Sequence, residues 1–328
     1  MKRDYYILKG ERLARKDNTL RLYYSDGEFK DLPIEKINQL NVFCEMNLNS
    51  SFLNFAMRNE ITINFFNYYG YYTGSFYPRE KRVSGQLLIS QVKNSVDGES
   101  RLKIAQKFIE GASYNVFRNL RYYQERGHNI ELAQIKAMRN KISTAKSIQG
   151  LMGIEGNIRR TYYNNWNGII NDEFQFEKRT KMPPENPINC LISLLNTMLY
   201  TVTISEIYKT HLDPSISYLH EPGERRFSLA LDISEIFKPL IVDRIIFSMI
   251  NKREINVSDF EENTNGILMK EVCKKKMLKA FNDRLEQKIT HNKLKKRSSY
   301  RNLIRLELLK LEKYLLVGEE YSPFKLEW

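Results

Sequence analysis

The sequence predicts an α+β protein: a β-rich, sandwich-like N-terminal domain followed by a larger all-α domain. Three observations predict it. Short strand-like runs separated by turn signals fill the first 77 residues. Alternation is lost after Gln86, where helical periodicity takes over. The 328 residues, 42% of them hydrophobic, suffice for two domains with real cores.

Within residues 1–77 the strand-like runs are YYIL, TLRLYY, NQLNVFC, ITINFF and YYTGSFY. Asp17-Asn18 and Asp26-Gly27 are hairpin turn signals, and Gly70 and Gly74 punctuate the last aromatic run. Between the later strands, Ser51 to Asn59 has apolar residues at helical spacing and a serine able to cap them. The dense tyrosines read either as a base-stacking platform or simply as strand formers covering a half-buried sheet. An unclosed sheet has edges to cover, so this domain is expected to carry a homodimer interface.

Residues 78–85 form the linker: they begin with proline, end near glycine and carry charge between. From 86 to 328 helices are expected at about 86–93, 100–125, 130–146 and 147–166, with Gly98, Gly111 and Gly127 as breaks. After a loop from Asp172 to Pro187 comes a segment, Asn186 to Ser205, without a charged residue. It matches a membrane span in length, but its asparagines, serines and threonines suit a buried helix of a soluble protein better. Pro187 fits the first turn. Helices then continue to about residue 316, starting with the stretch Tyr218 to Arg244, YLHEPGERRFSLALDISEIFKPLIVDR.

Lys and Arg outnumber Asp and Glu by 52 to 39, which favours a polyanionic partner, nucleic acid or an anionic membrane. The excess is concentrated: residues 269–305 hold thirteen basic side chains against three acidic ones. Such a run is either a solvated face or a phosphate-contacting one, and its density favours phosphate. Cys44, Cys190 and Cys273 form no C-x-x-C, so neither a disulfide framework nor a cysteine zinc site is indicated. With no signal-peptide core near the start, a cytoplasmic protein is expected. No P-loop, G-x-G-x-x-G or G-x-S-x-G is present.

The chemistry-bearing residues lie in two places. His220 stands in a turn broken by Pro222 and Gly223, ahead of a helix on which Asp232 and Glu235 are three residues apart. Glu155 stands between Gly153 and Gly156 in LMGIEGNIRRTYY, where glycines thin the helix as if something approaches closely. Arg159, at i+4, also makes an ordinary intrahelical ion pair possible. Glu155, His220 and Glu235 together form a mixed nitrogen and oxygen set suited to Mg²⁺ or Mn²⁺, although zinc also accepts such ligands.

EGNIRR-x-Y around Glu155, RT-x-x-PP-x-NP-x-N from Arg179 to Asn189, the Tyr218–Arg244 stretch and the closing YSPF occur in order. In this combination the chain resembles the CRISPR adaptation integrase family, the first of the CRISPR-associated proteins. The resemblance implies a metal-dependent DNA endonuclease and integrase that joins the 3′-hydroxyl ends of a short foreign fragment to a repeat array by transesterification. It implies Glu155, His220 and Glu235 as metal ligands and Asp232 as a neighbouring catalytic acid; family members often have aspartate at the position of Glu235. Arg159, Arg225, Arg226, Lys274, Lys275, Lys276, Arg297 and Arg301 are the expected DNA contacts. The implied partners are double-stranded DNA, a second copy through the N-terminal domain, and a small ferredoxin-like companion protein; no membrane partner is implied. A plain metal nuclease acting on branched DNA in repair, with water as nucleophile, and a non-catalytic nucleic-acid scaffold are the alternatives.

Overall fold

The computed structural model describes residues 2–78, 82–171, 173–180, 183–223, 227–263, 266–291 and 296–327. The chain divides into two compact units, Met1–Lys81 and Arg82–Trp328.

The first unit is built from two four-stranded sheets. Its elements are β1 (Arg3–Ile7), β2 (Arg12–Lys16), β3 (Thr19–Tyr23), β4 (Phe29–Pro33), β5 (Ile37–Val42), β6 (Asn47–Leu48), α1 (Ser50–Arg58), β7 (Thr62–Phe66) and β8 (Tyr72–Phe76). One sheet runs β1-β5-β7-β8 and the other β4-β3-β2-β6. Leu13, Leu20 and Leu32 from the second sheet share one core with Leu40 and Ile63 from the first and Phe52 from α1. Asp17, at φ 52, and Gly27, at φ 84, supply the left-handed turns of the β2-β3 and β3-β4 hairpins.

Strands β2 and β4 are additions to the runs seen in the sequence. RLARK has a single buried residue, Leu13, and its arginines cover aromatic rings: Arg12 over Tyr23 at 4.2 Å and Arg15 over Phe55 at 4.5 Å. The helix cap also differs, because Asn49 and not a serine accepts from Phe52 N at 2.9 Å. Across the first sheet a polar ladder joins paired positions. Asn64 Nδ2 donates to Asn41 Oδ1 at 2.9 Å, Ser75 Oγ donates to Asn64 Oδ1 at 2.7 Å, and Tyr72 OH lies 2.8 Å from Ser75 Oγ. A one-residue slip would break every rung.

The second unit contains α2 (Gly85–Val96), α3 (Gly98–Gln124), α4 (Ala133–Arg139), α5 (Ile148–Asn164), α6 (Pro187–Ile207), α7 (Ser228–Phe237), α8 (Val242–Asn251), α9 (Glu271–Glu286) and α10 (Tyr300–Val317). Two short hairpins punctuate an otherwise helical unit: β9 (Phe260–Asn263) with β10 (Gly266–Met269), and β11 (Lys288–His291) with β12 (Lys296–Ser299). The segment expected as one helix over 130–146 is α4 followed by a 3₁₀ turn, Ile142–Thr144.

Helix α6 is the uncharged segment. It is long and apolar enough to cross a membrane, with a mean hydropathy of 1.4, yet it packs against α7, α8, α9 and α10 inside the unit. The Arg179–Asn189 segment ahead of it is structural: Asn186 caps α6 by accepting from Asn189 N at 2.8 Å, and Arg179 donates to Asn189 Oδ1 at 3.0 Å and Ser193 Oγ at 2.9 Å. The closing YSPF is also a clamp. The buried Glu307 of α10 accepts from Tyr321 OH and from Phe324 N, and Phe324 stacks on Phe237 of α7 with centroids 5.8 Å apart. Gly111 of α3 is needed here, since a Cβ on it would stand 2.7 Å from Pro323 Cβ.

Candidate active site

The loop before α7 is fastened by α2 and α3. Gln91 Nε2 donates to Asp213 O at 2.8 Å, Ser95 Oγ to Ser217 O at 2.8 Å, and Arg101 Nε to Tyr218 O at 2.9 Å. From the other side Asp232, fully buried on α7, receives the loop: its Oδ2 accepts from Tyr218 N at 2.8 Å and Leu219 N at 3.0 Å, and its Oδ1 from His220 N at 3.0 Å. The same Oδ1 lies 2.8 Å from His220 Nδ1. That contact assigns the proton to Nδ1 and leaves Nε2 with a free lone pair, the arrangement by which a carboxylate orients a metal-ligating or base histidine. Asp232, expected as a neighbouring catalytic acid, has both its oxygens engaged by the loop and by His220 in this structure, where it positions the histidine.

Glu235, one turn along α7, meets α5 instead. Its buried carboxylate pairs with Arg159 and with Lys238, and Arg159 also donates to Glu155 Oε1, at 3.2 Å from Nε and 3.1 Å from Nη2. One guanidinium therefore joins the two glutamates that stand eighty residues apart in the chain. Burial alone would raise the Glu235 carboxyl, but Arg159, Lys238 and His220 outweigh it and hold the group at about 2. His220 acts on Glu235 electrostatically, so the histidine and both glutamates belong to one neighbourhood. Arg159, in turn, is held well above its ordinary range by Glu235 and Glu155 against the opposing effect of burial.

Two participants were not singled out by the sequence. Lys238 follows Glu235 at i+3, a spacing too common to stand out. Asp243 of α8 is buried and accepts from Tyr162 OH at 2.9 Å, while Asn119 Nδ2 donates to that hydroxyl at 2.8 Å. Burial, with Glu235 adding to it, pushes the Asp243 carboxyl up to about 7 despite Arg159, Lys238 and Tyr162. Around Gly153 and Gly156 no described residue from outside their own turn of helix stands within 4 Å of where a Cβ would be. Among the described residues nothing makes the close approach expected there.

The donor chemistry fits a hard divalent cation: two carboxylates, one of them kept ionised in a buried setting, and an imidazole with Nε2 available. In the present conformation Arg159 occupies the position between the carboxylates as their cation, and among the described residues no three acidic, histidine or cysteine groups stand close enough to close on an ion.

The expected DNA contacts divide differently. Arg159 belongs to the carboxylate network. Arg301 is half-buried on α10, against Glu206 at 3.4 Å and Glu286 at 3.6 Å. Lys274 is half-buried, and Lys276 donates to Glu254 O at 2.9 Å. Lys275 is exposed beside Glu271, and Arg297 is exposed on β12. Arg225 and Arg226 lie outside the described residues. A charge count over a sequence window misses such pairings, because Glu206, which takes Lys209, Arg301 and Arg305, comes from sixty residues before that window.

A strand-rich N-terminal unit followed by a helical unit, in which a loop histidine and two glutamates from separate helices share one charged neighbourhood, defines a class of two-domain proteins. The comparisons give that class its name. A family model described as CRISPR associated protein Cas1 matches residues 5–283. The chain is 49% identical to the CRISPR-associated endonuclease Cas1 of Fusobacterium nucleatum, covering 100% of this chain and 98% of that protein. It is 46% identical to the one of Clostridium perfringens, covering all of both. Among solved structures it superimposes on a Cas1 protein from Thermotoga maritima with a TM-score of 0.88 at 38% identity, covering 98% of this chain and 99% of that one. It also shares the fold of a casposase bound to an integration product, with a TM-score of 0.90 at 22% identity, covering 100% and 95%. The chain belongs to the CRISPR-associated protein Cas1 family.

Proposed function

We propose that this protein is a metal-dependent DNA endonuclease and integrase that inserts short foreign fragments into a CRISPR array by 3′-hydroxyl attack on a phosphodiester. Support comes from the family, from relatives named as endonucleases, and above all from one observation: Arg159 links Glu155 to Glu235 beside His220. When bound to Glu155, Glu235 and His220 Nε2, Mg²⁺ or Mn²⁺ would polarise the phosphodiester and help ionise the attacking hydroxyl.

The chain's own residues prepare that step. Asp232 holds the Nδ1 proton, so the neutral imidazole of His220 keeps its lone pair on Nε2. Lys238 and Arg159 keep Glu235 ionised in a buried setting, where a carboxylate would otherwise take up a proton. Arg159, released from between the glutamates, is placed to meet the phosphate's charge in the transition state. The open side of α5 at Gly153 and Gly156 admits the strand.

Partners follow on the same basis. Double-stranded DNA, as fragment and as repeat array, is the substrate. The edge strand β8, with Phe76 exposed, is the surface of the first unit suited to pairing with a second copy. A structural neighbour at 17% identity is a Cas6-RT-Cas1–Cas2 complex, and a small ferredoxin-like companion is the corresponding partner proposed here.

A second reading is favoured by the same ion pairs: the acids serve only to pair with Arg159 and Lys238 in a nucleic-acid scaffold. A branched-DNA disintegration assay with Mn²⁺ separates them. Glu155→Ala and His220→Ala are each expected to lose strand joining by at least about 100-fold, as loss of a catalytic ligand does. Unchanged joining in both variants would overturn the metal-site assignment, absence of joining in the wild type itself favours the scaffold, and cleavage without joining makes water the nucleophile.

A further inference from the structure

Residues 133–160, which run through α4 and most of α5, carry Lys136, Arg139, Lys141, Lys146, Arg159 and Arg160 against a single acid, Glu155. Arg159 takes that acid. Lys136, Lys141, Lys146 and Arg160 are exposed, and among the described residues none of these four side chains makes a hydrogen bond or an ion pair. Of the four, Arg160 alone lies on the helix that carries Glu155.

The helical period places it. Around α5, Gly156 follows Glu155 by about 100°, Arg160 lies about 40° beyond Gly156, and Gly153 about 20° beyond Arg160. Gly153, Gly156 and Arg160 are exposed, and no described residue of another element stands within 4 Å of where a Cβ on either glycine would be. On the opposite side of Glu155 the helix is covered, because Leu151, Ile158 and Tyr162 are buried. A strand brought to the half-buried Glu155 carboxylate therefore crosses α5 at Gly156, where no side chain holds it off, and passes beside Arg160. Along the axis Arg160 is about 7.5 Å from Glu155, about two base steps of duplex rise.

We infer that Arg160 binds a DNA backbone phosphate within two nucleotides of the reacting one. The inference rests on the reading of Glu155 as a group that reaches the reacting phosphate. An exposed arginine with no acid to answer it adds little to the fold, and its planar fork matches two phosphate oxygens at once. Arg159 is committed to two carboxylates, whereas its neighbour in the chain faces solvent uncommitted. The two consecutive arginines thus divide the work: one serves the carboxylates and the other holds the strand.

The test uses the full chain and the branched DNA of the joining assay, with single backbone phosphates near the joining point replaced in turn by uncharged methylphosphonates. Binding is followed by fluorescence anisotropy without divalent ion, over a series of salt concentrations, for the wild type, Arg160→Ala and Arg160→Lys. Arg160→Ala is expected to weaken binding about tenfold, the worth of one charge-assisted hydrogen bond, and to lower the slope of log affinity against log salt by about one, with Tm unchanged. Neutralising one phosphate within two nucleotides of the joining point is expected to weaken the wild type by a similar factor and to leave Arg160→Ala unaffected. Arg160→Lys is expected to keep the slope and recover part of the affinity, since it retains the charge without the fork. Equal losses in wild type and Arg160→Ala at every neutralised position, or an unchanged slope, would overturn the inference, and coupling found only farther from the joining point would overturn the placement. A wild type that binds the DNA but joins no strands in Mn²⁺ overturns the reading of the Glu155 site instead, whatever the coupling.

Discussion

At the scale of single residues, Asp243 and Glu235 are buried carboxyl groups pushed in opposite directions by neighbours they partly share. The groups acting on Asp243 are Arg159 and Tyr162 from α5, Glu235 from α7 and Lys238 just past the end of α7. With its folded pKa at about 7 and its unfolded value near 3.8, Asp243 binds more protons in the folded than in the unfolded chain between those limits. Its contribution to stability therefore falls as pH rises from about 4 to about 7. In chelator-treated protein, Asp243→Asn, which keeps an oxygen for Tyr162 to donate to, is expected to flatten the decline in Tm over that window. A decline as steep as the wild type's would place the titration elsewhere. Residue type and motif put Glu155, His220 and Glu235 forward as candidates. The sequence hid Arg159's bridging role, the inward turn of Asp232 and the part of Asp243, because each depends on which helix faces which, and spacing along one helix does not carry that.

At the scale of elements, the motifs of the sequence are largely fasteners. Asn186 caps α6, Arg179 ties the preceding loop to the same helix, and YSPF is clamped to α3, α7 and α10. The clamp bears on the site, since Asn115 of α3 donates to both Ile236 O and Phe324 O, the first being the residue after Glu235. Gly111→Ala is expected to force Pro323 out of place at about 1–3 kcal/mol, outweighing the roughly 1 kcal/mol that alanine gains over glycine in a helix. Chemical denaturation would measure the loss, and a stabilised variant would show that the segment yields freely. Helix periods and turn residues gave away α1, α2, α3, α5 and α6 closely. They did not give away β2, where arginine stems cover aromatic rings in place of an alternating apolar face. Nor did they give away the β9-β10 and β11-β12 hairpins, whose four-residue strands are too short for a period to register.

At the scale of the whole molecule, net positive charge is a poor guide to which cations are available. Arg301 and Lys276 are engaged within the fold, whereas Arg297 is exposed. Arg297→Ala is accordingly expected to reduce the slope of log affinity for duplex DNA against log salt by about one, with stability within about 0.5 kcal/mol of wild type. Arg301→Ala is expected to act mainly on stability, because it removes one of the cations around the buried Glu206. Equal effects of the two substitutions on the salt slope would show that burial does not sort them.

Helix α6 carries a consequence for how the protein is made. Its packing partners α7, α8, α9 and α10 all come later in the chain, the last beginning at Tyr300. During synthesis at roughly 5–20 residues per second, this greasy segment leaves the ribosome and waits on the order of 5–20 s for its final cover to be translated. Over that interval its apolar surface is exposed to any factor that samples nascent chains for long hydrophobic segments.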